Sequence, residues 1–154
     1  MFDLSKLSAG LRTYREVFAT WYRRRMTLGA RGERAAIRYL RWTKRMHIIE
    51  ASARNIYGEI DIIAVTPCKT RVVFIEVKTR QSHDRGHPAE AVGPEKQKRI
   101  TRIALAYMKR NSLLNECSAR FDVVAITWPS GQRRPTIEHY ESAFDAVGDY
   151  QMYS

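Results

Sequence analysis

Asp61, Glu76 and Lys78 stand in two runs, "GEIDIIAV" and "RVVFIEVKTR", that otherwise read as the strands of a buried sheet. In an extended strand, residues two apart share a face. Glu59 therefore sides with Asp61, Glu76 sides with Lys78, and Ile60 and Ile62 are expected to point away from Asp61. The short connection "TPCKT" predicts antiparallel pairing, which brings Asp61 beside Glu76 and Lys78 on one patch. Carboxylates withdrawn from water and held together repel, and one takes up a proton unless a cation neutralises them. A divalent cation such as Mg²⁺ removes that penalty, because it takes hard oxygen ligands from one or two carboxylates, water and phosphate. An ammonium beside it can hold an attacking water or stabilise charge developing on a phosphate. The chemistry this spacing permits is metal-assisted phosphodiester hydrolysis. The same spacing also fits a solvated sheet face laced with ion pairs, which is common where an antiparallel sheet meets water.

The elements that must position these groups follow from periodicity and punctuation. "LGARGERAAIRYLRWTKRM" predicts a helix over about Ala30–Arg45, with Ala36, Tyr39 and Leu40 on its apolar side and Trp42 as a further candidate there. Glu33 is an acid near the start of that helix, where the dipole favours it. "HIIEASARN" predicts a strand that turns at Asn55–Gly58 into "EIDIIAV", with "RVVFIEVKTR" as a third strand rich in β-branched residues. Gly93, Pro94 and Glu95 mark a second helix start, with Ile100, Ile103, Ala104 and Tyr107 on its inner face. "RFDVVAITW" and the short edge strand "PTIEHYE" complete the order. Helix, three strands, helix and one or two strands predict an α/β domain, with a mixed central sheet flanked by helices in three layers.

Charge narrows the partner. The chain of 154 residues carries a formal net charge of +11. Residues 1–45 hold 12 Lys or Arg against 3 Asp or Glu, and the remainder is nearly balanced. Such an excess favours a polyanion, since each neutralised phosphate releases condensed counterions. Arg31, Arg34, Arg38 and Arg41 on the first helix are candidate phosphate contacts, and an anionic lipid surface satisfies the same charge. Residues 1–27 place Leu4, Leu7, Leu11, Tyr14, Phe18 and Trp21 on one helical face, ending in the basic "YRRRM". That face fits packing on its own domain or a second subunit, and also a membrane-surface helix. No apolar run reaches the roughly 18 residues of a membrane span, and the N-terminus lacks the apolar core of a signal peptide. Cys68 and Cys117 have no metal-ligand or CxxC spacing and read as small buried hydrophobes in a reducing compartment, so a cytoplasmic location is expected. His47, His83, His87 and His139 are scattered and read as surface histidines, with His83 and His87 in a loop from which a phosphate is reachable.

Asp61 followed by "EVK" at Glu76–Lys78, in this element order, resembles the PD-(D/E)xK nuclease superfamily. It is more closely similar to the YraN-like family of bacterial proteins predicted to be endonucleases, distant relatives of archaeal Holliday-junction resolvases. The segments that carry the resemblance are "GERAAIRYL", "ARN", "GEIDIIA", "VFIEVKTR", "GHPAEAVGPEKQKRI", "RFDVVAI" and "IEHYESAF", spanning about residues 29–146. It implies a restriction-endonuclease-like fold over 29–148, with a basic amphipathic extension at 1–28 and a tail at 149–154. It makes Asp61 and Glu76 ligands of Mg²⁺ (or Mn²⁺), Lys78 the catalytic lysine, and Glu33 the helical carboxylate completing the metal site. Lys96 and Lys98 match phosphate-contacting residues. Here "EID" replaces the Pro–Asp of the superfamily label, and residues 1–28 inherit no role. The expected activity is cleavage of DNA, branched or damaged DNA included, by a protein whose paired sites suit a homodimer. The alternative is a non-catalytic nucleic-acid-binding module on a nuclease-like fold.

Overall fold

The computed structural model describes residues 27–82 and 92–148. The expectations for the amphipathic extension, His83, His87 and the tail from 149 onward lie outside those residues. Helix α1 runs Leu28–Trp42, followed by strands β1 (His47–Asn55), β2 (Gly58–Val65) and β3 (Arg71–Arg80). Helix α2 (Pro94–Arg110) then leads to β4 (Ser118–Thr127) and β5 (Thr136–Tyr140). The five strands form one sheet in the order β1-β2-β3-β4-β5. Every neighbouring pair is antiparallel except β3 and β4, which run parallel. A parallel neighbour needs a crossover, and α2 lies in that connection.

Each helix starts where its local chemistry dictates. The Thr27 hydroxyl accepts the Ala30 N–H at 3.2 Å and caps α1, so the helix begins two residues before the expected Ala30. Pro94 occupies the first turn of α2 with Glu95 beside it, while Lys109 and Arg110 sit in the last turn and complement the dipole.

The sheet is covered on both faces. Ile100, Ile103, Ala104 and Met108 of α2 pack with Ile60, Ile63, Val65, Val72, Phe74, Phe121 and Val123. Ala35, Ala36, Ile37 and Leu40 of α1 pack with Ile62, Ala64, Val73, Ile75, Val124 and Ile126, whereas Trp42, the last residue of the helix, is 69% exposed and not on the apolar side expected of it. The central strands are buried on both sides, which explains their near-continuous apolar runs. Among the described residues, no helix is long and apolar enough to cross a membrane.

The first-helix glycine in "GERAA" has a packing reason. A Cβ added to Gly32 would meet Thr79 Oγ1 at 1.8 Å and Thr79 Cβ at 2.8 Å, so α1 approaches β3 at backbone distance there. Gly29 has nothing within 4 Å. Gly32→Ala is expected to destabilise by about 1–3 kcal/mol as the helix is levered off the sheet. Gly29→Ala is expected to be stabilising by up to about 1 kcal/mol through helix propensity. Urea denaturation of the two variants checks the contrast, and equal effects would contradict the close contact.

The cysteines depart from expectation in one case. Cys117 is half-buried, and burial pushes its thiol up. Cys68 is exposed in the β2–β3 hairpin, and hydrogen bonds with the Thr66 and Thr70 hydroxyls lower its thiol to about 7. A hairpin tip carries its side chains away from the core, which is why the buried-hydrophobe reading fails there.

Candidate active site

The carboxylates are brought together by a break in strand regularity. Ile60 packs in the α2 layer, whereas Ile62 packs in the α1 layer, so β2 changes face at Asp61. The expectation that Ile60 and Ile62 share a face is therefore wrong. The partner strand makes the same change: Ala53 faces α2, Ala51 faces α1, and Ser52 between them takes a positive φ of 53°. Paired irregularities of this kind re-aim side chains, as bulges do beside functional sites.

The ladder between β2 and β3 ends at Ile62–Ile75. Beyond it, Asp61 Oδ2 accepts the Val77 N–H at 2.7 Å, so a side-chain carboxylate stands in for the backbone acceptor the diverging strand withdraws. Asp61 is thereby fixed beside the end of β3, where Glu76 and Lys78 lie on the α2 side of the sheet.

Glu76 is buried, with a side chain only 6% exposed. Lys78 Nζ lies 2.9 Å from its Oε1, and Lys96 from the first turn of α2 donates to the same oxygen. Two ammonium groups thus face two carboxylates in low dielectric, where charge counts for more than in water. Burial, followed by the charge of Glu76, pushes Asp61 up to about 6, although the Val77 N–H and the two lysines oppose the shift. Burial draws Lys78 down, but its bond to Glu76 and the nearby carboxylates outweigh this and the net shift is upward. Lys96 goes the other way, because burial and the neighbouring Lys78 hold it below the usual lysine range. Of the two lysines, Lys78 is the one whose charge its surroundings favour.

This raised Asp61 has a stability consequence with a definite sign. The folded protein holds a proton on Asp61 that the unfolded chain, near the ordinary 3.8, has released. Stability is therefore lost as pH rises from about 4 to about 6. Asp61→Asn is expected to stabilise the metal-free protein at pH 7 by on the order of 1–2 kcal/mol, with the gain vanishing near pH 3.5. Thermal melts at the two pH values check this, and a loss of stability at pH 7 would contradict it.

Asp61, Glu76 and Lys96 line a cleft of about 420 Å³, together with Tyr57, Glu59 and Arg99. The site residues expected from sequence divide accordingly. Asp61, Glu76 and Lys78 are brought together, and Lys96 joins them as a direct partner of Glu76 rather than a surface contact. Glu33, on α1, is not among the residues that line the cleft. Among the described residues, no group of three or more His, Cys, Asp or Glu side chains is arranged to hold a metal. Two carboxylates lining a cleft, Asp61 and Glu76, still fit a hard cation that draws its other ligands from water and substrate. Arg31, Arg34 and Arg38 are also on α1, away from the cleft; Arg31 stacks over Trp128 at 4.1 Å. Lys98 is exposed and lies 3.3 Å from Glu95.

Sequence reasoning missed Arg99 and Tyr57. The signal for Arg99 was present: it stands three residues after Lys96 on α2, and residues three apart share a helix face. Tyr57 gave none beyond its place in a turn.

The sequence profile described as "Uncharacterised protein family UPF0102" matches residues 32–126. A UPF0102 protein of Rhodopirellula baltica is 50% identical over 127 residues, covering 82% of this chain and 75% of its own length. A UPF0102 protein of Geobacter sulfurreducens is 46% identical over 118 residues, covering 77% and 88% respectively. One from Pelobacter propionicus is 42% identical over 117 residues, covering 76% and 81%.

Proposed function

We propose that this chain, which belongs to the uncharacterised protein family UPF0102, is a divalent-metal-dependent endonuclease that hydrolyses DNA phosphodiester bonds in the cytoplasm. The observation that carries the reading is the meeting of Asp61 and Glu76 with Lys78 at a deliberate break in the sheet. A buried carboxylate pair at such a break is costly as structure alone, and function explains the cost. The likeness to PD-(D/E)xK nucleases, in a mixed five-stranded sheet covered by two helices, supports the restriction-endonuclease-like reading of the fold.

Asp61 and Glu76 would hold Mg²⁺ or Mn²⁺, which supplies Lewis-acid polarisation of the phosphate and a water of lowered pKa. Asp61 is held in place by the Val77 N–H, so its free oxygen is oriented before any ligand arrives. The bond to Glu76 favours the charged form of Lys78, which suits it to donate to charge developing on the phosphate. Lys96 and Arg99 extend the positive lining along α2 toward the rest of the substrate backbone. Glu33 on α1 keeps in this proposal the role that the resemblance gives it, the helical carboxylate completing the metal site. A homodimer with paired sites suits cleavage of both strands.

A second reading, a nucleic-acid-binding module without turnover, is favoured by one observation. Two lysines already occupy Glu76 Oε1, so ammonium groups stand where a cation is needed. Incubation of supercoiled plasmid and of a four-way junction with Mg²⁺ or Mn²⁺ separates the two. Nicking that needs the metal supports the enzyme. Tight binding without nicking, and no rise of melting temperature with Mn²⁺, supports the module.

A further inference from the structure

The turn between β1 and β2 is built rigidly and tipped with apolar side chains. Asn55 Oδ1 accepts the Tyr57 N–H at 2.9 Å, and Asn55 Nδ2 donates to the Ile103 carbonyl of α2 at 3.3 Å. Arg54 Nε donates to Glu59 Oε2 at 2.9 Å across the hairpin. Gly58, at φ +134°, lets the backbone settle against Arg99, where a Cβ would stand 3.3 Å from the Arg99 side chain. On this braced turn Ile56 is 90% exposed and Tyr57 is 43% exposed.

Turn chemistry accounts for the flanking residues and not for these two. An Asn side chain bonding the backbone two residues on, and a Gly at positive φ, are turn formers, whereas Ile and Tyr at the centre are not. They rank among the exposed large hydrophobic residues of the described chain. Tyr57 lines the same cleft as Asp61, Glu76, Lys96 and Arg99. An apolar tip is thus continuous with a basic, carboxylate-bearing groove.

We propose that Ile56 and Tyr57 form a stacking subsite for an unpaired nucleobase, on a strand whose phosphates run past Lys96 and Arg99. The inference rests on the proposed function for nucleic acid as the ligand, and adds what part of it the tip reads. A regular duplex offers this turn only sugar and phosphate, which an isoleucine cannot use. An unstacked base offers an apolar face of matching size, and aromatic stacking is indifferent to sequence. Rigidity matters because a preformed tip loses little conformational freedom on binding.

The test is fluorescence anisotropy of the full chain in EDTA, so that no turnover is required. The probes are a labelled single strand, the same strand with abasic sites throughout, and the matching duplex. Wild type is expected to bind the single strand at least about 10-fold more tightly than the abasic strand. Ile56→Ser/Tyr57→Ser is expected to bring that ratio close to one while keeping the melting temperature and duplex affinity. Tyr57→Phe is expected to retain the ratio, since the ring is what stacks. An abasic strand bound as well as the intact one by wild type, or an unchanged ratio in the double variant, would overturn the proposal. So would sedimentation showing a wild-type dimer that the double variant dissolves, which assigns the tip to a second copy of the chain. Base-dependent binding by a protein that cuts nothing keeps the subsite and sinks the nuclease. Cleavage without base dependence does the reverse.

Discussion

Lys78→Ala is expected to slow DNA cleavage by about 10²–10³-fold while leaving Mn²⁺ binding intact. The expectation follows from the division of labour at the end of β3. Asp61 and Glu76 supply the negative charge that a cation needs, and Lys78 supplies a positive charge aimed at the same place. Its side chain is 25% exposed and its ammonium is held by Glu76, so it can reach a phosphate and yet is not freely solvated. Removing it deletes a donor to the transition state without deleting a ligand. Glu76→Gln is expected to behave differently, because it removes half the charge of the pair and leaves Lys78 and Lys96 without their shared partner. Metal affinity and cleavage should then fall together. Lys78→Arg is expected to restore little, since a planar guanidinium does not occupy the site of a compact ammonium. Single-turnover rates alongside Mn²⁺ titration separate these outcomes, and a Lys78→Ala rate within about twofold of wild type would remove lysine from the chemistry.

Asp122→Ala is expected to destabilise the fold by about 3–5 kcal/mol, the range for stripping one partner from a buried ionic network. Asp122 on β4 is fully buried. Its Oδ2 accepts from Arg120 Nη2 at 2.7 Å and lies 2.9 Å from His139 Nε2, while Oδ1 accepts the Ser142 N–H at 3.0 Å. One carboxylate thus ties β4 to β5 and to the turn that follows. Arg120 continues the network to Glu141 at 3.0 Å, and Lys44 reaches the same Glu141 at 2.8 Å. Alanine would leave Arg120, whose side chain is 11% exposed, without its closest counter-charge. Asp122→Asn keeps an acceptor for Ser142 and should cost less. For a domain of this size the alanine variant should melt about 10 °C lower, and a melting temperature within about 2 °C of wild type would show that the network is not holding β5.

That network was not legible in the sequence, for a physical reason. Asp122 reads as one polar residue in an apolar strand, and His139 reads as a surface histidine in a short edge strand. The His139 side chain is in fact only 2% exposed, with Tyr39 of α1 set edge-on at 5.7 Å between ring centres. The residues meet only after β5 pairs with β4 and α1 covers them, and no local period encodes that meeting. The strands and helices were legible because caps, proline and apolar periodicity act over a few residues. Asp61 beside Glu76 was legible from strand pairing, but the geometry that achieves it was not. Regular alternation predicts Ile60 and Ile62 on one face, whereas both neighbouring strands change face at Ser52 and Asp61. Bulge-like changes depend on tertiary fit, so alternation fails at the functional position while holding along the rest of β2. The basic charge was legible as a total, and which cations stand beside the carboxylates was not. Arginines on α1 drew attention by number, whereas the cleft is lined by Lys96 and Arg99 of α2, and Lys78 of β3 is bonded to Glu76.

The most direct test of the central claim is nicking of supercoiled plasmid by wild type and Asp61→Asn, side by side, with Mn²⁺ and with EDTA. Asp61 is the residue on which the break in the sheet, the carboxylate pair and the proposed metal all depend. Wild type is expected to nick the plasmid with Mn²⁺ and not with EDTA. Asp61→Asn, folded and more stable at pH 7, is expected to leave it supercoiled under both conditions. Plasmid left supercoiled by wild type, or nicked equally by both proteins, would contradict the assignment of this cluster to phosphodiester hydrolysis.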